Sequence, residues 1–150
     1  MALRERLSES MKAAMKAKEV KRLSTVRLML DAVQKQDIAS RETISDDDAL
    51  VVLAKMIKQR EESATVYDAG GRPELAAGER EEITIIREFM PRQLSAEESR
   101  EAVKEAIATT GAGSMKDMGR VMAALKERYP GQMDFAKASA QVKEFLTAPK

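Results

Sequence analysis

Apolar residues recur at intervals of three and four along the first 90 residues, which is the spacing of one face of an α-helix. The stripes predict four helices, over residues 2–17, 19–39, about 46 to 67 or 68, and 73–90. The stripe of the first helix consists of Leu3, Leu7, Met11, Ala14 and Met15. The stripe of the fourth helix consists of Leu75, Ile83, Ile86 and Met90.

Polar residues, glycines and prolines mark the ends of these helices. Ser45 is a predicted N-cap, and the three aspartates at 46–48 lie in the first turn, where carboxylates complement the helix dipole. Gly70 and Gly71 predict a left-handed C-cap, and Pro73 suits the first turn of the next helix. No strong helix breaker separates the first two helices at 16–18.

A change of pattern after Met90 divides the chain. The segment 90–94 is the predicted boundary between an N-terminal domain, residues 1–91, and a small C-terminal domain, residues 92–150. Ser95 and Glu98 form a predicted capping box for a helix over 96–109. Two further helices are predicted over 115–128, capped by Ser114, and from Asp134 to about 146. The predicted fold is therefore all-α, with a four-helix domain followed by a three-helix domain.

The composition supports this fold and narrows the chemistry. Apolar residues make up 43% of the chain, and they are mainly aliphatic residues and ten methionines. The sequence contains no histidine and no cysteine, the residues most used for proton transfer near pH 7, thiolate attack and transition-metal binding. We therefore expect a binding module with no cofactor, no metal and no catalytic residue of its own.

The formal net charge of +1 conceals an uneven distribution of charge. Residues 1–41 carry a net charge of +5, residues 42–90 carry −6, and residues 91–150 carry +2. The basic first third either binds an anionic partner or complements the acidic middle third inside one helical bundle. The charge pattern leaves both interpretations open.

Targeting and membrane signals are absent from the pattern. The first residues lack the continuous apolar core of a signal peptide, and no stretch approaches the length of a membrane span. We expect a cytoplasmic protein that does not bind membranes.

The C-terminal domain carries the candidate functional residues. The proposed RNA-binding residues are the cations of its second helix and of the boundary segment, namely Lys116, Arg120, Lys126, Arg128 and Arg92. Lys116 and Arg120 are one helical turn apart, as a surface that follows phosphates requires. An ordinary soluble helix shows the same spacing, so this signal has low specificity.

Three methionines of the same helix form an alternative candidate surface. Met115, Met118 and Met122 share one helical face. Core packing is the ordinary role of such a face, and an adaptable surface for a protein partner is the alternative.

Several longer motifs make the chain similar to a known family. The segments at 111–122 and 89–95, together with those at 22–27, 58–63 and 67–76, resemble the GatB/YqeY family, and in particular its stand-alone YqeY-like proteins of bacteria. The resemblance covers nearly the whole chain. One departure is the run Asp134-Phe135-Ala136, where relatives tend to have Asp-Gly-Lys, so a basic residue is lost and an aromatic residue that can extend the core is gained.

The resemblance implies kinship with the tail of the B subunit of the glutamine-dependent Asp/Glu-tRNA amidotransferase. That tail is understood to help hold tRNA, away from the domains that perform the chemistry, which have no counterpart in this sequence. Three hypotheses follow: a tRNA- or RNA-associated binding module, an accessory that contacts amidotransferase subunits, and a true carbon–nitrogen ligase with glutamine as amide donor. The first is preferred, and the third has the least support from the residues.

Overall fold

The fold is known from a computed structural model, which describes residues 2–148 and is all-helical there, as predicted. Its α-helices are α1 (Leu3–Ala17), α2 (Val20–Ser40), α3 (Asp46–Ala69), α4 (Pro73–Arg87), α5 (Ala96–Thr110), α6 (Met118–Arg128) and α7 (Phe135–Thr147). A short 3-10 helix, Met115–Asp117, precedes α6. No helix within residues 2–148 is long and apolar enough to cross a membrane.

The chain divides into two compact units, Met1–Met90 (unit 1) and Pro91–Lys150 (unit 2). In unit 1, α3 packs against α4, α2 packs against α1, α3 and α4, and α1 also touches α3. In unit 2, α5, α6 and α7 pack against one another. That the two units are independent domains stays a prediction.

Unit 1 is built around side chains that lose almost all contact with solvent. The largest fully buried ones are Leu7, Val26, Met29, Val33, Leu53 and Ile86. Two residues of the predicted stripes do not belong to this core, because Met15 is 50% exposed and Leu75 is 39% exposed. Each lies beside a fully buried alanine of its own helix, Ala14 or Ala76, so the helix is still covered at this position but its buried face turns away from these two side chains.

The helix junctions of unit 1 depend on left-handed residues. Lys18 ends α1 with φ 59°, and its backbone N–H donates to the carbonyls of Ala14 and Met15. Arg41 ends α2 in the same way, with φ 60°. After α3 the left-handed residue is Gly71, with φ 70°, and Gly70 has φ −86°, so the predicted cap lies one residue later than its first glycine.

A partly buried ion-pair network ties α2, α3 and α4 together. Arg60 Nε donates to Glu82 Oε2 at 2.8 Å, and Lys21 Nζ lies 3.5 Å from Glu82 Oε1. The side chains of Arg60 and Glu82 are 15% and 16% exposed. This network is distinct from the apolar core and adds polar contacts that fix α2, α3 and α4 relative to one another.

Unit 2 has a core of its own and begins with its boundary segment. Val103, Val121, Leu125 and Val142 are fully buried. The backbone N–H of Leu94 donates to the carbonyl of Gln132 at 2.8 Å, which ties the segment before α5 to the loop before α7.

The capping predictions of unit 2 have two outcomes. The capping box of Ser95 and Glu98 is confirmed, and so is the cap of α7 by Asp134. Ser114 accepts no capping hydrogen bond, so that prediction is wrong. The predicted helix over 115–128 is also divided, because its first turn is a 3-10 helix.

Each unit holds one tyrosine. Tyr67 is half-buried on α3, and Tyr129 is half-buried at the end of α6.

Candidate nucleic-acid interface

The candidate interface is the basic segment from the 3-10 helix to the end of α6. Lys116, Arg120, Lys126 and Arg128 are all exposed there. Lys116 lies in the 3-10 helix and Arg120 in α6, so the two side chains are not separated by one regular α-helical turn. The four cations therefore lie on one short segment but not on one helical face, because Lys116 precedes α6 and positions 126 and 128 of α6 point about 160° apart around its axis.

Asp117 organises the beginning of this segment. Its carboxylate accepts from the backbone N–H of Gly113 at 3.0 Å and from Arg120 Nη2 at 2.7 Å. The hydrogen bond from Gly113, followed by that from Arg120, holds the pKa of Asp117 below its usual value. The carboxylate is thus ionised near neutral pH, where it fixes the loop and pairs with Arg120.

Arg128 connects α6 to α5. Its Nη1 donates to Glu105 Oε1 at 2.8 Å, and its guanidinium lies 5.6 Å from the centroid of the Tyr129 ring. Both charged side chains are more than half exposed, so water and salt screen this pair strongly. A phosphate group can replace such a partner at small cost.

Arg92 has a different environment from the other four candidate cations. It donates to both carboxylate oxygens of Glu98, at 3.0 and 2.8 Å. The hydrogen bond from Arg92, followed by that from the Ser95 backbone, lowers the pKa of Glu98 to about 2. Within residues 2–148, Arg92 shares no ion pair with α6, and its visible role is to support the start of α5.

Lys116 and Lys126 are the candidate cations without an acidic partner. Among the described side chains, neither has a carboxylate within ion-pairing distance. The structure thus places four of the five predicted cations on one segment, two of them paired with acids, and leaves Arg92 outside it.

The three candidate methionines do not share one environment. Met118 and Met122 are half-buried and pack against the core of unit 2. Met115 is 39% exposed. A surface for a protein partner on this face therefore consists mainly of Met115.

An aromatic contact of cations lies elsewhere in unit 2. The guanidinium of Arg100 and the ammonium of Lys104 lie 5.0 and 5.8 Å from the centroid of the Phe145 ring. The spacing of the two cations by one turn is visible in the sequence. The approach of Phe145 depends on how α5 packs against α7, which no local pattern encodes. Phe135, which lies where relatives tend to have glycine, is half-buried and packs against the core of unit 2.

Other polar groups that could take part in a reaction have structural roles. Asp46 accepts from the backbone N–H of Leu3, and Ser45 accepts from that of Asp48. Between α3 and α4 runs an open groove of about 360 Å³, where Arg87 donates to Glu61 at 3.0 Å and Arg80 pairs with Asp68. Within residues 2–148, no group of three or more acidic residues is placed to hold a metal ion.

These features define an all-helical protein of two small units with an exposed basic segment on the second unit. The family model described as Yqey-like protein matches residues 4–146, and the chain belongs to this family. The family resemblance carried by the sequence motifs is thereby confirmed.

Curated relatives of the chain include yeast proteins. It is 31% identical over 85 residues to "Altered inheritance of mitochondria protein 41, mitochondrial" of Vanderwaltozyma polyspora, and 33% identical over 85 residues to the protein of that name in Saccharomyces cerevisiae. Each match covers 56% of this chain and 46% of the relative, so the chain spans about half the length of these proteins. An uncharacterized protein of Schizosaccharomyces pombe is 31% identical over 93 residues, which cover 62% of this chain and 72% of the relative.

Proposed function

We propose that this YqeY-like protein is an RNA-associated binding module that contacts tRNA through the basic segment of unit 2. The observation that carries the proposal is the exposure of four cations between Lys116 and Arg128, two of them without an acidic partner in the described chain. Exposed lysines and arginines are the usual contacts to nucleic-acid phosphates. The motif around this segment is also the one through which the chain resembles the amidotransferase tail.

The mode of binding follows from the residues. Lysine and arginine contacts to phosphates position a nucleic acid without reading its bases. When a phosphate binds Arg120 or Arg128, the ion pair with Asp117 or Glu105 must break, or the arginine must contact the carboxylate and the phosphate together. Binding is therefore weak per contact and depends on salt.

A binding titration tests this proposal. The full chain is titrated with bulk tRNA at two salt concentrations, beside the variant Lys116→Glu/Arg120→Glu. We expect binding that weakens with salt, by about 0.7–0.9 in log affinity per log salt for each phosphate contact, and a loss of at least tenfold in the variant. Absence of binding at low salt would exclude the RNA function.

The matched control is Lys137→Glu/Lys143→Glu on α7. Both lysines are exposed, and neither has an ion-pair partner among the described residues of unit 2. The control changes the net charge of the same unit by the same amount. Equal losses in both variants would indicate general charge attraction and would contradict a specific role for the segment at 116–128.

A second candidate function is contact with amidotransferase subunits through Met115. Its support is the resemblance of the surrounding motif to the amidotransferase tail, because a single methionine that is 39% exposed is ordinary for a protein surface. Capture of the purified subunits by the wild-type chain but not by Met115→Glu is the expected result. Equal capture of the subunits by Met115→Glu and by the wild-type chain would contradict a role of Met115 in this contact. This proposal assigns no residue to ligase activity. The cytoplasmic location and bacterial origin stay predictions, and some relatives are named as mitochondrial.

A further inference from the structure

The basic first third of the chain is mostly not neutralised by the acidic middle third. Of the ten cations in residues 1–41, three form ion pairs with side chains in the described part of the chain, namely Arg4 with Asp37, Lys21 with Glu82 and Arg22 with Glu88. Only the last two pairs reach the acidic middle third. Complementation inside the bundle therefore accounts for two of the five net positive charges on this segment.

Three of the remaining cations lie together at the end of α1. Lys12, Lys16 and Lys18 are exposed, and within residues 2–148 none has a carboxylate within ion-pairing distance. They fall within seven residues, whose six steps correspond to about 9 Å along a helix. We name the surface formed by Lys12, Met15, Lys16, Lys18 and Val20 the α1–α2 turn surface.

The apolar members of this surface are few and aliphatic. Met15 is 50% exposed and Val20 is 78% exposed, and no aromatic residue occurs between 12 and 20. Protein interfaces are depleted in lysine and depend on aromatic or arginine anchors, which are missing here. Stable attachment to a membrane requires more buried apolar area than two such side chains supply. Clustered lysines without anchors are typical of contacts with a phosphate backbone.

We propose that the α1–α2 turn surface is a second RNA-binding surface, which contacts the phosphate backbone through Lys12, Lys16 and Lys18. This inference rests on the proposed RNA function and extends it from unit 2 to unit 1. Each lysine acts as a mobile point charge without base specificity. Because these lysines lack acidic partners in the described chain, no internal ion pair has to open when a phosphate binds.

The test is a titration of the full chain with bulk tRNA after Lys12→Gln/Lys16→Gln/Lys18→Gln. We expect at least a tenfold loss of affinity at low salt, and a decrease of about 2 in the slope of log affinity against log salt for three lost contacts. The matched control is Lys35→Gln/Lys55→Gln/Lys58→Gln, which removes three exposed lysines of unit 1 that have no ion-pair partner in the described part of the chain. The control should retain affinity within about threefold; equal losses in the two variants would overturn the inference.

The unit 2 variant Lys116→Glu/Arg120→Glu separates this inference from the proposed function. Loss of affinity in that variant, with unchanged affinity in the unit 1 triple variant, would refute the second surface and leave the first intact. Loss only in the triple variant would refute the basic segment of unit 2 and support the α1–α2 turn surface.

Sedimentation with vesicles of anionic phospholipid provides the remaining comparison. If the wild-type chain sediments with them, the triple variant does not, and tRNA affinity is the same in both, then the surface binds lipid and the RNA assignment is wrong. If neither protein sediments and tRNA affinity falls in the triple variant, the assignment to RNA is supported.

Discussion

Lys18 adopts a backbone conformation that is unfavourable for a residue other than glycine. It has φ 59° at the end of α1, a left-handed conformation that glycine adopts without steric cost and other residues adopt at a cost. The hydrogen bonds from its N–H to α1 still form, so the turn to α2 is made in spite of the lysine. The conformation is therefore imposed by the packing of α1 against α2 and not by the local sequence.

We predict that Lys18→Gly increases the free energy of unfolding by about 1 kcal/mol, because glycine removes the left-handed strain. The control Lys16→Gly lies inside α1, where glycine should instead decrease it by about 1 kcal/mol. Urea unfolding followed by circular dichroism measures both changes. Destabilisation by both substitutions would show that the left-handed strain at Lys18 is negligible.

Residue-level features were predictable where a side chain bonds to its own local backbone. Ser95, Glu98 and Asp134 cap their helices as predicted, since the hydrogen bonds involve residues two or three positions away. The left-handed turn at Lys18 was missed, because no side chain there favours it. The exposure of Met15 and Leu75 was also missed, because it depends on which face of each helix the neighbouring helices cover.

At the level of elements, the ion-pair network around Glu82 contains the least exposed ion pair in the described part of unit 1. Glu82 accepts from Arg60 on α3 and lies 3.5 Å from Lys21 on α2, with only 16% of its side chain exposed. One carboxylate thus compensates two cations, of which the side chain of Arg60 is 15% exposed and that of Lys21 is 40% exposed. Removal of the Glu82 charge leaves the poorly solvated guanidinium of Arg60 without its ion-pair partner.

We predict that Glu82→Gln lowers the free energy of unfolding by about 2 kcal/mol, since the amide cannot balance Arg60 and Lys21. Thermal and urea unfolding of the full chain measure the change. Glu81→Gln is the matched control, because Glu81 is exposed and has no ion-pair partner among the described residues. The control should change stability by less than about 0.5 kcal/mol, and similar effects of the two substitutions would contradict the importance of the network.

The number and order of the α-helices could be predicted because apolar spacing is a strong signal over three or more turns. The division of the helix predicted over 115–128 could not. There, the carboxylate of Asp117 bonds to the Gly113 backbone and the first turn is a 3-10 helix, an arrangement that apolar spacing does not reveal.

For the whole molecule, net charge could be counted from the sequence but its neutralisation could not. The pairs of Arg128 with Glu105 and of Lys21 with Glu82 join residues that are distant in the sequence. Only packing decides which cations meet acids and which stay exposed. The candidate cations on α6 were therefore predictable, whereas the structure was needed to show that the lysines at the end of α1 have no acidic partner within residues 2–148.

We predict that residues 91–150 fold when produced alone, because unit 2 has its own buried core and its boundary segment bonds within the unit. The expected result is a helical circular dichroism spectrum with cooperative thermal unfolding, at the low stability typical of chains of about 60 residues. As a control, Val142→Ala should lower the midpoint, since Val142 is fully buried. A spectrum of a disordered chain would contradict an independent unit.

The placement of one tyrosine in each unit, in a chain without tryptophan, makes the protein its own optical reporter. Tyr67 and Tyr129 are the two residues that dominate its ultraviolet emission. Replacement of Tyr67 by phenylalanine leaves a single emitter in unit 2, and replacement of Tyr129 leaves a single emitter in unit 1. Fluorescence of the intact chain can therefore follow each unit separately, without an attached dye.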